Sequence, residues 1–423
     1  MSNRNALLLF HHPVSCNAPT IMDHVKSFSQ YSKNCFTSIN TLYEFPNILA
    51  NYKFDLIVLH YSLFGSHPFR LPRLFSEFIQ KQSKCIKIAF FQDEYQLCLE
   101  RFRLIDELKI SVVFSLLNEK YLYSVYDRCE CVSHVFSTLT GYVSEDLRRK
   151  SFLFQKKFQD RSIDFGYRAR ELSFVMGKGA QEKTEIAINF KKFCTGKGYI
   201  LDLNSSNNSR IYGDDWFKFV SNCKGMLGVE AGVSIFDING DIIKECKSYL
   251  EKNINCTFDK IYNDLLHKYE YSDKNIYYRT ISPRIFEAAA FKVCMILYEG
   301  QYNQIIQPYV HYIPLRKDFS NIDEVFNIFN DKKQRQKIVE NAYDHIIGSN
   351  LFTYAKFIKG FDSIIDEFKF CGLPDQDFQK LNRNIAKKKN LYVLKFYLKK
   401  ILRKFYFIRF FKYLNHNLLF FNK

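Results

Sequence analysis

Acidic residues are the scarcer charge in this chain. Its 423 residues hold 44 Asp and Glu against 61 Lys and Arg, a net +17 at neutral pH. From Leu381 to Lys423 there is no Asp or Glu at all, and the twelve Lys and Arg of that stretch leave only about +5 for everything before it. Such a balance suits anionic partners, whether nucleotide diphosphates, lipid headgroups or nucleic acid. The twelve cysteines include no CxxC pair, which removes the common zinc frameworks and leaves reduced thiols acting as small hydrophobes. No apolar segment reaches the ~18 uncharged residues of a membrane span. The opening apolar run is too short for a signal peptide and reads as a first β-strand, so a cytoplasmic protein is expected. There is no P-loop, GxGxxG, HExxH or GxSxG. DxD is missing from any suitable loop. Mg²⁺ beside substrate phosphates normally needs such carboxylates, so no metal and no cofactor is expected. Internal repeats and low-complexity linkers are lacking as well.

What is present belongs to a globular protein, 47% hydrophobic and 25% charged. The 43 Phe and 28 Tyr, read with the many Lys, Asn and Ile, look like the coding bias of an AT-rich genome. The length fits two domains and a tail. Apolar runs at Asn5–Phe10 (NALLLF), Asp55–His60, Ile86–Phe91, Ser111–Leu116 and Cys131–Phe136 alternate with helical patterns at Thr20–Tyr31 and Leu71–Gln82. That is the signature of a parallel sheet covered on both faces. The pattern restarts at Ser162. Helices are expected at Gln181–Cys194, Gly213–Cys223, Asp241–Tyr269, from Pro283, at Ile322–Ile347 and at Thr353–Phe368. Strands are expected at Tyr199–Leu203, Gly225–Gly228, Cys294–Tyr298 and Tyr309–Pro314. The fold class is therefore α/β, two tandem Rossmann-like doubly wound domains at 1–150 and 161–370, with a helical tail at 381–423.

In open parallel sheets ligands sit beyond the carboxyl ends of the strands. Three strands of the first domain end there in imidazoles or carboxylates. They deliver His11 and His12, His60 and Tyr61, and Gln92, Asp93, Glu94 and Tyr95, groups suited to general-base or acceptor-binding work. In the second domain Ser282 is an N-cap followed by Pro283 at the first helical position. Its backbone N–H groups form an anion site, which Arg279 and Arg284 flank. Glu287 lies one turn in. Gly166 suggests a tight turn before a basic loop carrying Arg168, Arg170, Lys178 and Lys183. Glu230 follows a short strand among glycines, either at a ligand or as a buried cap, and Arg210 lies in the loop before that strand.

Arg284–Gly300 resembles the nucleotide-sugar segment of GT-B glycosyltransferases of the group 1 and CgeB-like type, where an Arg…Phe/Leu-Glu-Ala helix precedes a strand. Ile163–Lys183 is similar to the Gly…Arg…Lys element of their donor domain. FHHP…NAPT, VLHYSLFG, AFFQDEY, DFGYRAR, GAQEK, GVEAGVSIFD and HYIPLRKDFSN read like blocks shared with polysaccharide-cluster glycosyltransferases, from about Phe10 to Asn321. The resemblance implies transfer of a sugar from a nucleotide-sugar donor to a surface glycan, metal-independent, with Arg168 and Lys183 clamping the diphosphate and Glu287 on the ribose. Where that pattern carries a further Glu ahead of the ribose carboxylate, this chain has Thr280. Glu230 and Asp93 are the candidate substitutes, and a non-catalytic sugar-nucleotide binder is the variant reading.

Asn390–Ile408 has a helical period, with Leu391, Leu394, Leu398, Ile401, Leu402, Phe405 and Ile408 on one face. Lys395, Lys399, Lys400, Arg403 and Lys404 lie on the other. A basic amphipathic helix suits an anionic membrane surface, here the inner face of the cytoplasmic membrane, as a lipid-linked acceptor would require. A nucleic-acid-binding protein is the rival reading of the charge. No nucleic-acid motif supports it, so no nucleic acid is expected as a partner.

Overall fold

The computed structural model describes residues 4–13, 19–373, 376–388 and 390–398. Two doubly wound parallel-sheet domains are present, as expected. The first sheet holds β1 (Asn5–Phe10), β2 (Cys35–Asn40), β3 (Leu56–Leu59), β4 (Ile86–Phe90), β5 (Val112–Ser115) and β6 (His134–Ser137). All are parallel, in the order β2-β1-β3-β4-β5-β6. β1 shows why an unbroken apolar run serves such a sheet. Leu7 and Leu9 enter one buried cluster and Ala6, Leu8 and Phe10 the cluster on the opposite face, because successive side chains alternate.

The second sheet holds β7 (Ile163–Arg168), β8 (Leu201–Asn204) and β9 (Cys223–Gly228). A separate antiparallel pair, β10 (Ala231–Val233) and β11 (Tyr278–Thr280), lies beside it. β12 (Cys294–Tyr298) and β13 (Ile313–Leu315) complete the main sheet, in the order β13-β12-β9-β7-β8. Gly166, expected to make a turn, is instead a mid-strand residue of β7. A Cβ there would lie 2.2 Å from Cys223 Sγ and 3.0 Å from the Phe219 ring. Gly166→Ala is accordingly expected to destabilise the domain by about 1–3 kcal/mol through overpacking, read from the urea midpoint.

Two expected helices are broken in the structure. Asp331 interrupts 322–347 by accepting from the backbone N–H groups of Lys333 and Gln334, at 2.8 and 2.9 Å, and so starts a new helix. Asp241–Tyr269 breaks after Lys252, and Thr257 caps the helical stretch that resumes at Phe258.

The chain crosses between the domains twice. Helix Glu145–Phe154, in the segment read as the boundary, packs on the second domain through Leu147, in one cluster with Trp216, Phe217 and Phe286. Helix Tyr354–Asp366 was expected in the second domain. Its Ile358, Phe361 and Ile365 instead cover the first sheet beside Ala6 and Leu8. The tail follows it there. Phe378 and Leu381 join the first domain's core, and Thr37 Oγ1 donates to Asn382 Oδ1 at 2.7 Å. Among the described residues no helix is long and apolar enough to cross a membrane, and the described cysteines are free thiols. Leu391, Leu394 and Leu398 of the expected apolar face are exposed, as is Lys395. Lys399, Lys400, Arg403 and Lys404 lie outside the described residues.

Candidate functional site

In the second sheet β7 is flanked by β8 on one side and β9 on the other, so successive connections run in opposite directions and a crevice opens at the strand ends. A cavity of about 260 Å³ occupies it. The end of β7, the end of β9 with the residues that follow it as far as Ala231, and the first turn of helix Pro283–Ala290 line it. A second cavity of about 490 Å³ adjoins it and shares Arg168, Ala169, Arg210, Ser282 and Arg284. This larger cavity is closed by Tyr212, Trp216 and Glu287 and reaches Pro19 and Thr20 of the first domain, so it opens between the domains.

The charge of the smaller cavity is mostly positive, with Glu230 the one carboxylate in its lining. Arg170, Lys183, Arg210 and Arg284 all line it, and none has a carboxylate within ion-pair distance among the described residues. Arg284 lies over the Trp216 ring, 5.1 Å from its centroid, and donates to the backbone carbonyl of Arg168. Lys183 Nζ has only the Gly232 carbonyl at 3.5 Å. Burial, then the charges of Arg279, Arg170 and Arg284, bring its pKa down to about 8, with Asp93 opposing. Ser282 caps the adjoining helix by accepting from Arg284 N at 3.4 Å. Its N-terminus adds partial positive charge to the same space. Four cations free of ion pairs among the described residues, beside a helix start, suit a polyanion.

Several expected residues are committed elsewhere. Arg168 lines the cavity, but its guanidinium is spent. Nε donates to the Ser209 carbonyl, Nη1 to the carbonyls of Tyr167 and Asp202, and Nη2 to the Asp202 carboxylate at 2.9 Å. Arg279 does not reach the cavity at all. It is buried between Glu182, at 2.6 Å, and Glu230, at 3.7 Å, over Gly179. The Glu230 carboxylate accepts from the backbone N–H groups of Gln301 and Tyr302, at 3.1 and 2.8 Å, and from Tyr277 OH at 3.0 Å. It thus has the contacts of the buried cap of the two alternatives, and it also forms part of the smaller cavity's lining. Thr280 is buried and donates to Asn303 Oδ1. Glu287 lines the larger cavity, where burial raises its pKa and Trp216 Nε1 donates to one carboxylate oxygen at 2.8 Å.

On the first domain the structure separates the candidates. Glu94 is a buried hub, with Ser115, the Leu116 N–H, Tyr126 and, from the second domain, Tyr278 all donating to it. It fastens the two domains, and both of its carboxylate oxygens already accept hydrogen bonds. Tyr95 is buried against Tyr278, and its carbonyl accepts from Asp237 N. His60 is wholly buried, its Nδ1 within 2.9 Å of Ser62 Oγ and its ring 5.0 Å from His24, and burial holds it neutral. Glu94, Tyr95 and His60 are buried and line neither of the two cavities. His11 and His12 follow β1 at the crevice of the first sheet, where His11 N donates to Ser62 Oγ at 3.0 Å. Neither ring nitrogen of His11 has a partner, and burial, Arg70 and His12 take its pKa down to about 4. His12 lies next to it with a lowered pKa, again chiefly from burial. Asp93 is exposed in the left-handed region, φ 54°, and faces the cluster closely enough to raise the pKa of Lys183. Trp216 and Tyr212 were missed by the sequence reading. Trp216 is the chain's only tryptophan, and composition gives no reason to place it in a site.

No protein-family profile matches the sequence, and no curated protein matches it. Among solved structures, one of an alpha-glucosyltransferase in complex with UDP-glucose and DNA containing an abasic site superposes with a TM-score of 0.49 at 11% identity, covering 86% of this chain and 99% of that one. A glycosyltransferase from Rickettsia africae gives 0.45 at 14% identity over 87% and 99%. HepE from Anabaena, in complex with UDP and glucose, gives 0.43 at 10% identity over 86% and 100%. Likeness at this level concerns the course of the chain and says nothing of the residues that line the cavities.

Proposed function

We propose that the chain is a glycosyltransferase that takes a sugar from a nucleoside diphosphate-sugar and places it on a hydroxyl of a surface-glycan acceptor. One observation carries this reading. At the strand-order reversal of the second sheet, Arg170, Lys183, Arg210 and Arg284 line a cavity at a capped helix N-terminus, and none of the four is ion-paired among the described residues. The resemblance of Arg284–Gly300 to nucleotide-sugar segments agrees with that charge pattern. The diphosphate lies where the two cavities meet, against Arg210, Ser282 and Arg284. The nucleoside extends into the larger cavity, with an aromatic wall at Trp216 and Tyr212 and with Glu287 accepting from the ribose hydroxyls.

In the reaction the bond from the anomeric carbon to the phosphate oxygen breaks, and a bond to the acceptor oxygen forms. The charge gathering on the leaving diphosphate is met by Lys183, Arg284 and the helix N-terminus. These cations supply what a divalent metal would otherwise supply, so transfer proceeds without one. The acceptor enters against the first domain. Asp93 takes its proton, being the exposed carboxylate on that side. His11 orients the hydroxyl, since a group with a pKa near 4 is a weak base at neutral pH but an uncharged hydrogen-bonding partner. The exposed Leu391, Leu394 and Leu398, with Lys395, support the reading of a tail that lies on an anionic membrane surface, the inner face of the cytoplasmic membrane.

The test is a thermal-shift screen of nucleoside diphosphates and their sugars, with Mg²⁺ or with EDTA. A ligand at a hundred times its Kd adds about 2.7 kcal/mol of apparent stability. The expected outcome is stabilisation by one nucleotide class, indifferent to EDTA and lost in Arg284→Ala and Glu287→Ala. No shift with any nucleotide would sink the assignment. A shift without transfer or donor hydrolysis would mean a sugar-nucleotide binder, the reading that Thr280 and the engaged Glu230 keep in play.

A further inference from the structure

Helix Glu145–Phe154 turns Leu147, Ser151 and Phe154 toward the second domain, at the spacing of one helical face. Phe152 and Leu153 point the other way and are 86% and 62% exposed. Two adjoining apolar side chains this bare at a helix end have no role in the packing. Three residues further on the chain forms the rim of a cavity of about 560 Å³, distinct from the two at the nucleotide site. Lys156, Lys157, Lys224, Lys292, Lys332 and Arg335 line it. Lys224 is paired with Asp164 at 2.7 Å and Lys156 bonds Asn222 at 2.6 Å. Arg335 is stacked on the Phe158 ring, 3.9 Å from its centroid, and Lys292 lies over Tyr343. Lys157 and Lys332 have no ion pair among the described residues, and Glu340 is the one carboxylate in the lining.

We infer that this tip and this cavity form a membrane-docking surface, with Phe152 and Leu153 entering the acyl boundary and the cavity cations taking lipid phosphates. Apolar side chains flanked by cations are the composition that an anionic bilayer holds. A convex tip of two side chains offers far too little apolar area for a protein interface, which needs about 800 Å² per partner. Arg161, Lys224 and Lys292 stand at the amino ends of β7, β9 and β12, whereas the nucleotide cavity opens at their carboxyl ends. A bilayer seated here therefore leaves the mouth of that cavity uncovered. The surface is separate from the tail helix, which packs on the first domain. The inference does not depend on the nucleotide reading.

The test is co-sedimentation of the full chain with vesicles of phosphatidylcholine, alone and mixed with phosphatidylglycerol. Binding to the mixed vesicles only is expected. Phe152→Ser/Leu153→Ser should weaken it at least about tenfold, and Lys157→Glu/Lys332→Glu by more, since each lysine near an anionic surface is worth about fivefold. Both pairs are exposed, so melting temperatures and any nucleotide shift should match the parent protein. Leu391→Ser/Leu394→Ser serves as the tail control. The inference is overturned if the first two variants sediment like the parent, if no vesicle binds, or if free glycerol phosphate displaces the protein at equal phosphate concentration. The last result would make the cavity a site for a soluble anion.

Discussion

Replacing Lys183 by alanine is expected to lower the transfer rate by about two to three orders of magnitude, the usual cost of removing one preorganised donor from a developing oxyanion. Lys183 lies among Arg170, Arg279 and Arg284, and its one contact is a carbonyl at 3.5 Å. Its charge is therefore available to a ligand and costly to hold without one. The same crowding gives a pH signature. Lys183 must be protonated to meet a diphosphate, and its pKa in the free protein is about 8. Affinity should be full below that value and fall as the pH rises through it. The bound diphosphate raises the pKa of Lys183, so the decline appears in the free protein's affinity for nucleotide rather than in the complex. Lys183→Arg keeps a cation that does not titrate in this range, and its affinity should stay flat across the same interval. Calorimetric titration from pH 6.5 to 9.5 makes the comparison. A parent profile as flat as that of Lys183→Arg would show that Lys183 does not touch the phosphates.

Arg279→Ala should act on stability instead. The side chain is 3% exposed, between Glu182 and Glu230. Removing one member of a buried ion cluster leaves charge uncompensated, typically costing 3–5 kcal/mol. The lower end, about 3 kcal/mol, is expected here. Glu182 keeps Lys317 at 2.6 Å, and Glu230 keeps its two backbone N–H donors. Urea unfolding should show the loss. Arg279→Met with Glu182→Gln should recover part of it, because the double change also removes the carboxylate that lies 2.6 Å from the lost guanidinium. Nucleotide affinity corrected for stability should change little. A large affinity loss at unchanged stability would return Arg279 to the donor site.

Arg279→Ala and the Arg284→Ala of the thermal-shift test separate residues that the sequence treats alike. Arg279 and Arg284 flank the same capped helix start, and each reads as a phosphate ligand. β11 decides between them. Its pairing with β10 turns Arg279 onto Gly179 and Glu182, while Arg284, one residue past Pro283, stays at the cavity. Glu94 and Asp93 are a second such pair. They are neighbours in the chain, yet Glu94 gathers Ser115, Tyr126 and Tyr278 in the interior, and Asp93 adopts a left-handed conformation in solvent. A switch of φ between adjacent residues has no signature in residue type.

The sequence by itself determined the class of fold, the strands that build both sheets except the edge strand β2 at Cys35–Asn40, whose mixed run CFTSIN was not read as one, and the helix start at Ser282–Pro283. Each of these is local: unbroken apolar runs have no stable home but a sheet covered on both faces, and a Ser-Pro step caps a helix wherever it occurs. It also determined that a basic, amphipathic segment closes the chain. Tertiary structure alone decided the partners. Ile358, Phe361 and Ile365 make an apolar stripe that any reading of period finds, but nothing in the stripe says that it covers the first sheet rather than the second. β10 and β11 are three residues each, paired across more than forty positions, too short to carry a pattern of their own. The charge of the nucleotide cavity follows the same division. The arginines and lysines are legible in the chain, but which of them keep a free charge depends on the carboxylates that folding brings to the others, and those pairings are long-range.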